Sequence, residues 1–403
     1  MQQLSPQETA LLAAVDPAPM LAQVQAWSAI NTGTANLAGL KLQAALLADA
    51  FSALPGGVAL TDPAEVSAVG ADGQERGLEN GQHLVLRVRP QAERRFLLTG
   101  HMDTVFAPDH PFQAQRWRDA DTLNGPGVAD MKGGIAVILA ALTAFEHSAA
   151  SASIGYDVLI NSDEETGSLS SAGLIAELAA GKTAALTYEP SALPDGTLAG
   201  ARAGSGNWSL TITGKSAHAG RNPQDGRNAI VAAAALTLGL KALERDGLSI
   251  NPARIDGGSA TNVVPDLAVL RLNIRPRALE LAAAFEAGLA DLIAQVEREH
   301  GVSVHRHGGI SRPPKAVDAR AEKLFGIVET CSALLGQPIG RIASGGVCDG
   351  NNIAACGVPV VDTMGVRGGA IHSPDEFLIV PSLAERAQLS ALVLNRLATG
   401  APL

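Results

Sequence analysis

At 403 residues, with 46% hydrophobic and 17% charged side chains, the chain is long enough for two or three folded units and reads as globular rather than disordered. Its net charge of −10 argues against a nucleic-acid partner, which would ask for a basic face. The longest apolar runs, IAVILAALTAF (135–145) and AIVAAAALTLGL (229–240), fall short of the ~18 residues of a membrane span. They predict buried helices, so no membrane partner is expected.

The opening MQQLSPQETALLAAVDPAPM has neither a basic region nor a signal-like apolar core. Cys331, Cys348 and Cys356 are odd in number and lack C-x-x-C spacing, which suits neither a disulfide framework nor a thiolate zinc site. A cytoplasmic location is the expectation. Residues 8–53 read as helical, broken near WSAINTGTAN (27–36). HLVLRVRP (83–90) alternates Leu84, Leu86 and Val88 with basic residues on the other face, the period of a half-buried strand. RRFLLTG (94–100) is a short apolar run of the kind found in central strands.

An apolar helix follows NGPGVADMKGG (124–134). YDVLINSDEETGS (156–168) then reads as a strand running into an acidic loop, with a helix over roughly 170–180, and AALTYEPS (184–191) repeats the strand-then-acid theme. This alternation predicts a mostly parallel α/β sheet, whose ligands bind beyond the carboxyl ends of its strands. Around residue 200 the pattern changes. GNWSLTITGKSAHAG (206–220) alternates Trp208, Leu210 and Ile212. After it come a helix (226–245), two strands within 257–276, a helix (278–300) and the strand VSVHRH (302–307). That order is ferredoxin-like α+β. A helix at 319–335 and a strand at 358–365 return to the first texture. The expected layout is an α/β domain of residues 1–197 and 311–403, interrupted by an α+β unit at 198–310.

Polar groups sit where the strands end: His101 and Asp103 in GHMDTVF, Asp130 in GVADMKGG, Glu164 and Glu165 in NSDEETGS, Glu189 in TYEPS, and His372 in GGAIHSPDEF. Each alone is a weak signal. Together, two imidazoles and three carboxylates suit Zn²⁺ or a similar divalent ion, and the lack of thiolates points to a catalytic site. An odd carboxylate can bridge two ions. Asp103, two residues from His101, can fix that histidine's tautomer, and Glu164, beside Glu165, is left free to act as a general base.

The motifs GHMDTVF, GPGVADMKGG, NSDEETGS, YEPS, GKSAHAG and HSPDEF, in this order, resemble those of the dizinc metallopeptidase and amidohydrolase family. It includes glutamate carboxypeptidase, acetylornithine deacetylase, succinyl-diaminopimelate desuccinylase and aminoacylase. The resemblance spans nearly the whole chain. It implies two Zn²⁺ ions, with Co²⁺ or Mn²⁺ as substitutes. One would be held by His101 and Glu189, the other by Glu165 and His372, with Asp130 bridging and a cis peptide after Asp130. Glu164 would be the base and Asp103 its orienting partner, although some carboxypeptidase members carry Asp in place of Glu189.

The resemblance further implies that 198–310 is a lid and dimerisation domain, and that His218 reaches the active site of a second copy to stabilise an oxyanion. Asn262, Arg275 and the glycine-rich loops holding Gly346 and Gly369 would contact substrate. Cys348 reads as a small filler. The layout is most similar to the glutamate carboxypeptidase branch, which releases a C-terminal acidic residue from peptides or acyl conjugates; an N-acyl-amino-acid amidohydrolase acting on non-acidic substrates is the close alternative. A phosphoesterase and a non-catalytic binding protein are disfavoured, the first by the absence of a phosphate-cradling loop, the second because every ligand and base position holds a competent residue.

Overall fold

The computed structural model describes residues 3–403. At its centre lies a six-stranded sheet in the order Gly57–Thr61, His83–Val88, Gly155–Asn161, Arg95–His101, Ala184–Thr187 and Val360–Val361. Three of its pairings are parallel, and the two made by His83–Val88 are antiparallel. Alternation along each strand divides two cores. Leu84, Leu86, Val88, Phe96 and Leu98 face the helices Gly134–Glu146 and Ser382–Ala398. Val85, Leu97 and Leu159 face Ala172–Ala179 and Asp349–Ala355.

His83–Val88 is therefore not the half-buried strand its alternation predicts. It lies inside the sheet with both faces covered, and only Arg87 along it is exposed. The apolar helix also differs from expectation. With the irregular turn before it, Val128–Glu146 forms a 19-residue apolar run, long enough to span a membrane, but 89% of its most apolar window is buried in the core. The Asp130–Met131 peptide in that turn is cis.

A second sheet, wholly antiparallel, runs Leu248–Gly257, Leu267–Pro276, Ser205–Thr213, Ser303–Arg312. The helices Ala229–Ala242 and Leu279–His300 cover one face, burying Trp208, Leu210, Ile212, Leu272 and Phe285. This is the ferredoxin-like order, with one strand placed differently. The strand after the first helix is Leu248–Gly257, and 258–266 is loop. Pro252 sits at a bulge of this edge strand, the position in a sheet where a missing N–H is tolerated.

Leu198–Arg202 pairs in parallel with Arg341–Ser344, so it belongs to the first unit, and the second unit's own elements begin at Ser205. The chain crosses between the units twice, side by side. Arg202 and Lys315 exchange backbone hydrogen bonds of 2.9 and 3.0 Å. A Cβ at Gly204 would meet the Arg312 carbonyl at 2.8 Å, so only glycine lets the crossings lie this close. Asp362, at the end of Val360–Val361, braces both crossings: its Oδ2 lies 2.7 Å from Arg202 Nε and 2.7 Å from Lys315 Nζ.

Candidate active site

The central sheet delivers its polar residues at one end, as parallel strands do. His101 is the last residue of Arg95–His101, Glu164 and Glu165 follow Gly155–Asn161, and Glu189 follows Ala184–Thr187. Asp130 comes from the turn before the apolar helix. His372 lies between the short strands Gly368–Gly369 and Phe377–Ile379, held by a small sheet that also includes Thr122–Asn124 and Arg116–Trp117. The loop of Gly365 presses against the Glu189 strand exit, where a Cβ would come within 2.6 Å of the Glu189 carbonyl.

The structure brings all five expected ligands together. Asp130 offers one oxygen to each histidine: Oδ1 is 3.1 Å from His101 Nε2 and Oδ2 is 3.3 Å from His372 Nε2. Glu189 lies 3.7 Å from His101 Nε2, and Glu165 lies 3.2 Å from His372 Nε2. Ligand atoms of His101, Asp130 and Glu165 fall within 4.8 Å of one another, as do those of His101, Glu164 and Glu189. Among the described residues, Glu165 and Glu189 make ion pairs only with histidine. A largely buried set of carboxylates with two imidazoles, in which no lysine or arginine among the described residues forms an ion pair with Glu165 or Glu189, has the donor chemistry of a two-cation site, and Asp130 is disposed to bridge.

Proton affinities inside the cluster reflect this crowding. Burial, reinforced by the charge of Asp130, pushes Glu165 up to about 7. Hydrogen bonds to Asp130 and Glu165 push His372 up to about 11. Burial works against the charged form of His101, but Glu189, Asp103 and Asp130 outweigh it and raise the group. His372 also takes a positive φ of 61°, an uncommon backbone conformation that clusters at functional sites.

Asp103 does more than its spacing from His101 suggests. It is fully buried, with Oδ1 3.3 Å from His101 Nδ1. Oδ1 also accepts from the Glu164 N–H at 3.2 Å, and Oδ2 accepts from the Glu165 N–H at 3.1 Å and from Thr34 Oγ1 at 2.7 Å. One carboxylate thus orients the histidine and both glutamates. Glu164 is buried, and that burial raises its carboxyl well above the ordinary range although Arg312 opposes the rise. Arg312 Nη2 lies 2.7 Å from Glu164 Oε1.

Glu376 is a site residue that the sequence reading passes over. It is buried and accepts from the backbone N–H groups of Gly127, Ala129 and Asp130, each at 3.0 Å, so it fixes the turn that carries Asp130. It lies in the quoted motif HSPDEF, four residues after His372, and that placement was the available signal.

The cluster opens into a cleft of about 840 Å³ whose walls include Arg202, Arg275, Arg312, Gly346 and Gly369. Arg275 is half-buried and bonds to Asn273 at 2.9 Å. Arg202 donates to the Gly346 carbonyl at 3.1 Å. Cys348 also lines the cleft, and burial pushes its thiol up, as befits a filler rather than a nucleophile. His218 and Asn262 do not line the cleft of their own chain. Both are exposed, on neighbouring loops of the second unit, where the Ala219 N–H donates to the Asn262 carbonyl at 2.9 Å.

Several known proteins are similar to this chain in sequence or fold. The chain is 29% identical to carboxypeptidase G2 of Pseudomonas sp. (strain RS-16) over 331 residues, 80% of this chain and 79% of that one. It is 31% identical to succinyl-diaminopimelate desuccinylase of Halorhodospira halophila over 314 residues, covering 72% and 79%. Among solved structures, a tripeptidase of Staphylococcus aureus superposes with a TM-score of 0.72 at 23% identity, covering 96% of this chain and 100% of that one. A dinuclear metal-binding peptidase of the M20 family from Bacillus subtilis gives 0.66 at 15%, covering 95% and 98%. Residues 97–396, which hold every ligand described above, match peptidase family M20/M25/M40, and the chain is a metal-binding hydrolase that belongs to that family.

Proposed function

We propose that the chain is a dizinc, glutamate carboxypeptidase-like hydrolase that cleaves the amide bond to a C-terminal acidic residue, Glu or Asp, in small peptides or N-acyl conjugates. The observation that carries the substrate reading is the presence of two guanidinium groups, Arg202 and Arg275, on the walls of one cleft. Arginine pairs carboxylates with two parallel hydrogen bonds, and a dicarboxylate product would draw on more than one of them. The ligand set is His101 with Glu189 and His372 with Glu165, Asp130 bridging.

His101, Glu189, Asp130, Glu165 and His372 would hold two divalent ions, whose chemistry when bound would be to acidify a water and polarise the scissile carbonyl. Glu164 takes the proton of the attacking water and returns it to the leaving amine. Asp103 keeps His101 and the Glu164–Glu165 turn in register while this happens. The second unit, 198–310 as expected and more closely 205–312, serves as lid and dimerisation surface. His218 of a neighbouring copy then stabilises the oxyanion, with Asn262 beside it and Gly346 and Gly369 close to substrate backbone. A cytoplasmic location is supported by three cysteines that form no disulfide.

The test is hydrolysis of a matched panel by zinc-loaded protein, holding the acyl group constant and varying the C-terminal residue across Glu, Asp, Ala, Leu, Phe and Lys. Preference for Glu or Asp is the expected result. A flat or apolar profile moves the enzyme to the N-acyl-amino-acid amidohydrolases, a reading favoured by the similarity to desuccinylases.

A further inference from the structure

Arg312 ends the last strand of the second sheet, paired with Ser205 and three residues before Lys315, and lines the cleft beside the return crossing. Its surroundings differ from those of the other two cleft arginines. Nη2 lies 2.7 Å from Glu164 Oε1, 2.9 Å from the Glu164 backbone carbonyl and 2.8 Å from Ser168 Oγ. One nitrogen therefore meets both the side chain and the main chain of a single residue, which fixes the loop and the rotamer together. On the far side Asp349 Oδ1 lies 3.4 Å away. Asp349 is itself held by Asn161 Nδ2 at 2.8 Å and by the Ser168 hydroxyl. Arg312 is buried and holds Glu164 through Nη2 alone, its Nε having no partner among the described residues, whereas Arg275 is half-buried and bonds to Asn273.

We propose that Arg312 is a positioning residue for Glu164, so that the second unit, through its return crossing, sets where the base's carboxylate stands. The inference rests on the reading of Glu164 as the base. The crossing is stiff enough to transmit position: Arg202 and Lys315 pair along the backbone, and Asp362 grips both side chains. A rotation of the second unit about this point carries the Arg312 backbone with it and changes its hold on Glu164. Closure of the lid and placement of the base are then one event.

The experiment compares R312Q, R312K and Ser168→Ala with the wild type and with E164Q, all metal-loaded, on the fastest substrate of the panel. It reads kcat, KM, bound metal, and the affinity for free glutamate by calorimetry. The expected result for R312Q is a kcat loss of about 100-fold, the scale of a misplaced reacting group, with KM, metal content and glutamate affinity held within about threefold. R312K recovers part of the loss, because an ammonium keeps the charge but not the planar fork. Ser168→Ala, which keeps both charges, loses about tenfold in kcat with the same pattern. A rise in KM with weakened glutamate binding and unchanged kcat makes Arg312 a substrate contact and overturns the proposal. Loss of metal in step with kcat overturns it as well. An E164Q variant of normal activity removes the base reading itself; an inactive E164Q beside a fully active R312Q removes only the positioning role.

Discussion

His101 and His218 occupy opposite settings in one chain. His101 is buried at the end of a sheet strand, ringed by Asp103, Asp130 and Glu189. His218 is exposed on a loop of the second unit, its Nδ1 accepting from the backbone N–H groups of Gly220 and Arg221 at 3.1 and 3.2 Å. The first is specified by one folded chain, because adjacent strands of a rigid sheet must end side by side. The second gains neighbours with chemistry only when another surface is brought to it. A floor built on strand ends is precise from the moment of folding, and a wall built on loops waits for assembly or closure.

The sharpest way to break this contrast is Glu164→Gln. It keeps the floor's shape but removes the proton carrier, so turnover falls by about 10³-fold while bound metal, measured by atomic absorption, stays at the wild-type level. Near-normal turnover would break the assignment. His218→Ala comes next, with an expected loss of about 100-fold from one missing oxyanion partner and no change in metal content. Mixed dimers of Glu164→Gln and His218→Ala chains should regain activity, since one of their two sites then has an intact base and an intact donor. Verified heterodimers that stay inactive would leave His218 without its role.

Glu376→Gln probes the floor from behind. An amide cannot accept at both ends, so part of the three-way hold on the Asp130 turn is lost. Metal affinity should fall by about 10–100-fold, readable by competition with a chelator.

The smallest expected effect is a pH trend in the metal-free protein. His372 is raised from 6.5 to about 11, so its stabilising contribution is complete below 6.5 and is lost as pH climbs towards 11. Glu165 is raised from 4.5 to about 7, so its ionisation costs stability as pH rises through that interval. The metal-free chain should melt lower at pH 8 than at pH 6. Metal must displace these same protons, so its apparent affinity should strengthen over that range. Parallel melting curves at the two pH values, with and without zinc, would show the gap widening upward; a gap that narrows contradicts the cluster's make-up.

The sequence made the floor readable because each strand announces itself by apolar content and then stops at an acid or an imidazole. The walls were less readable for physical reasons. Arg202 and Arg312 end strands far apart in sequence, and only the paired crossings bring their guanidinium groups to one cleft. Glu376 acts on backbone N–H groups, which leave no mark in composition. His83–Val88 shows an alternation that predicts one wet face, because its periodicity cannot reveal that helices cover both sides. Pro252 hid an edge strand that a bulge accommodates.

The grip of Asp362 on both crossings carries a consequence for synthesis. Val360–Val361, which precedes Asp362, is the edge strand that pairs with Ala184–Thr187, and everything in the second unit emerges from the ribosome before it. Ala184–Thr187 is therefore born with one edge unpaired, an invitation to foreign strands for as long as it stays open. The insertion has no such wait, since all its strands and helices lie between its own two ends. Its two ends lie close together, and the strand that brings Asp362 to Arg202 and Lys315 is the last of the central sheet to be made.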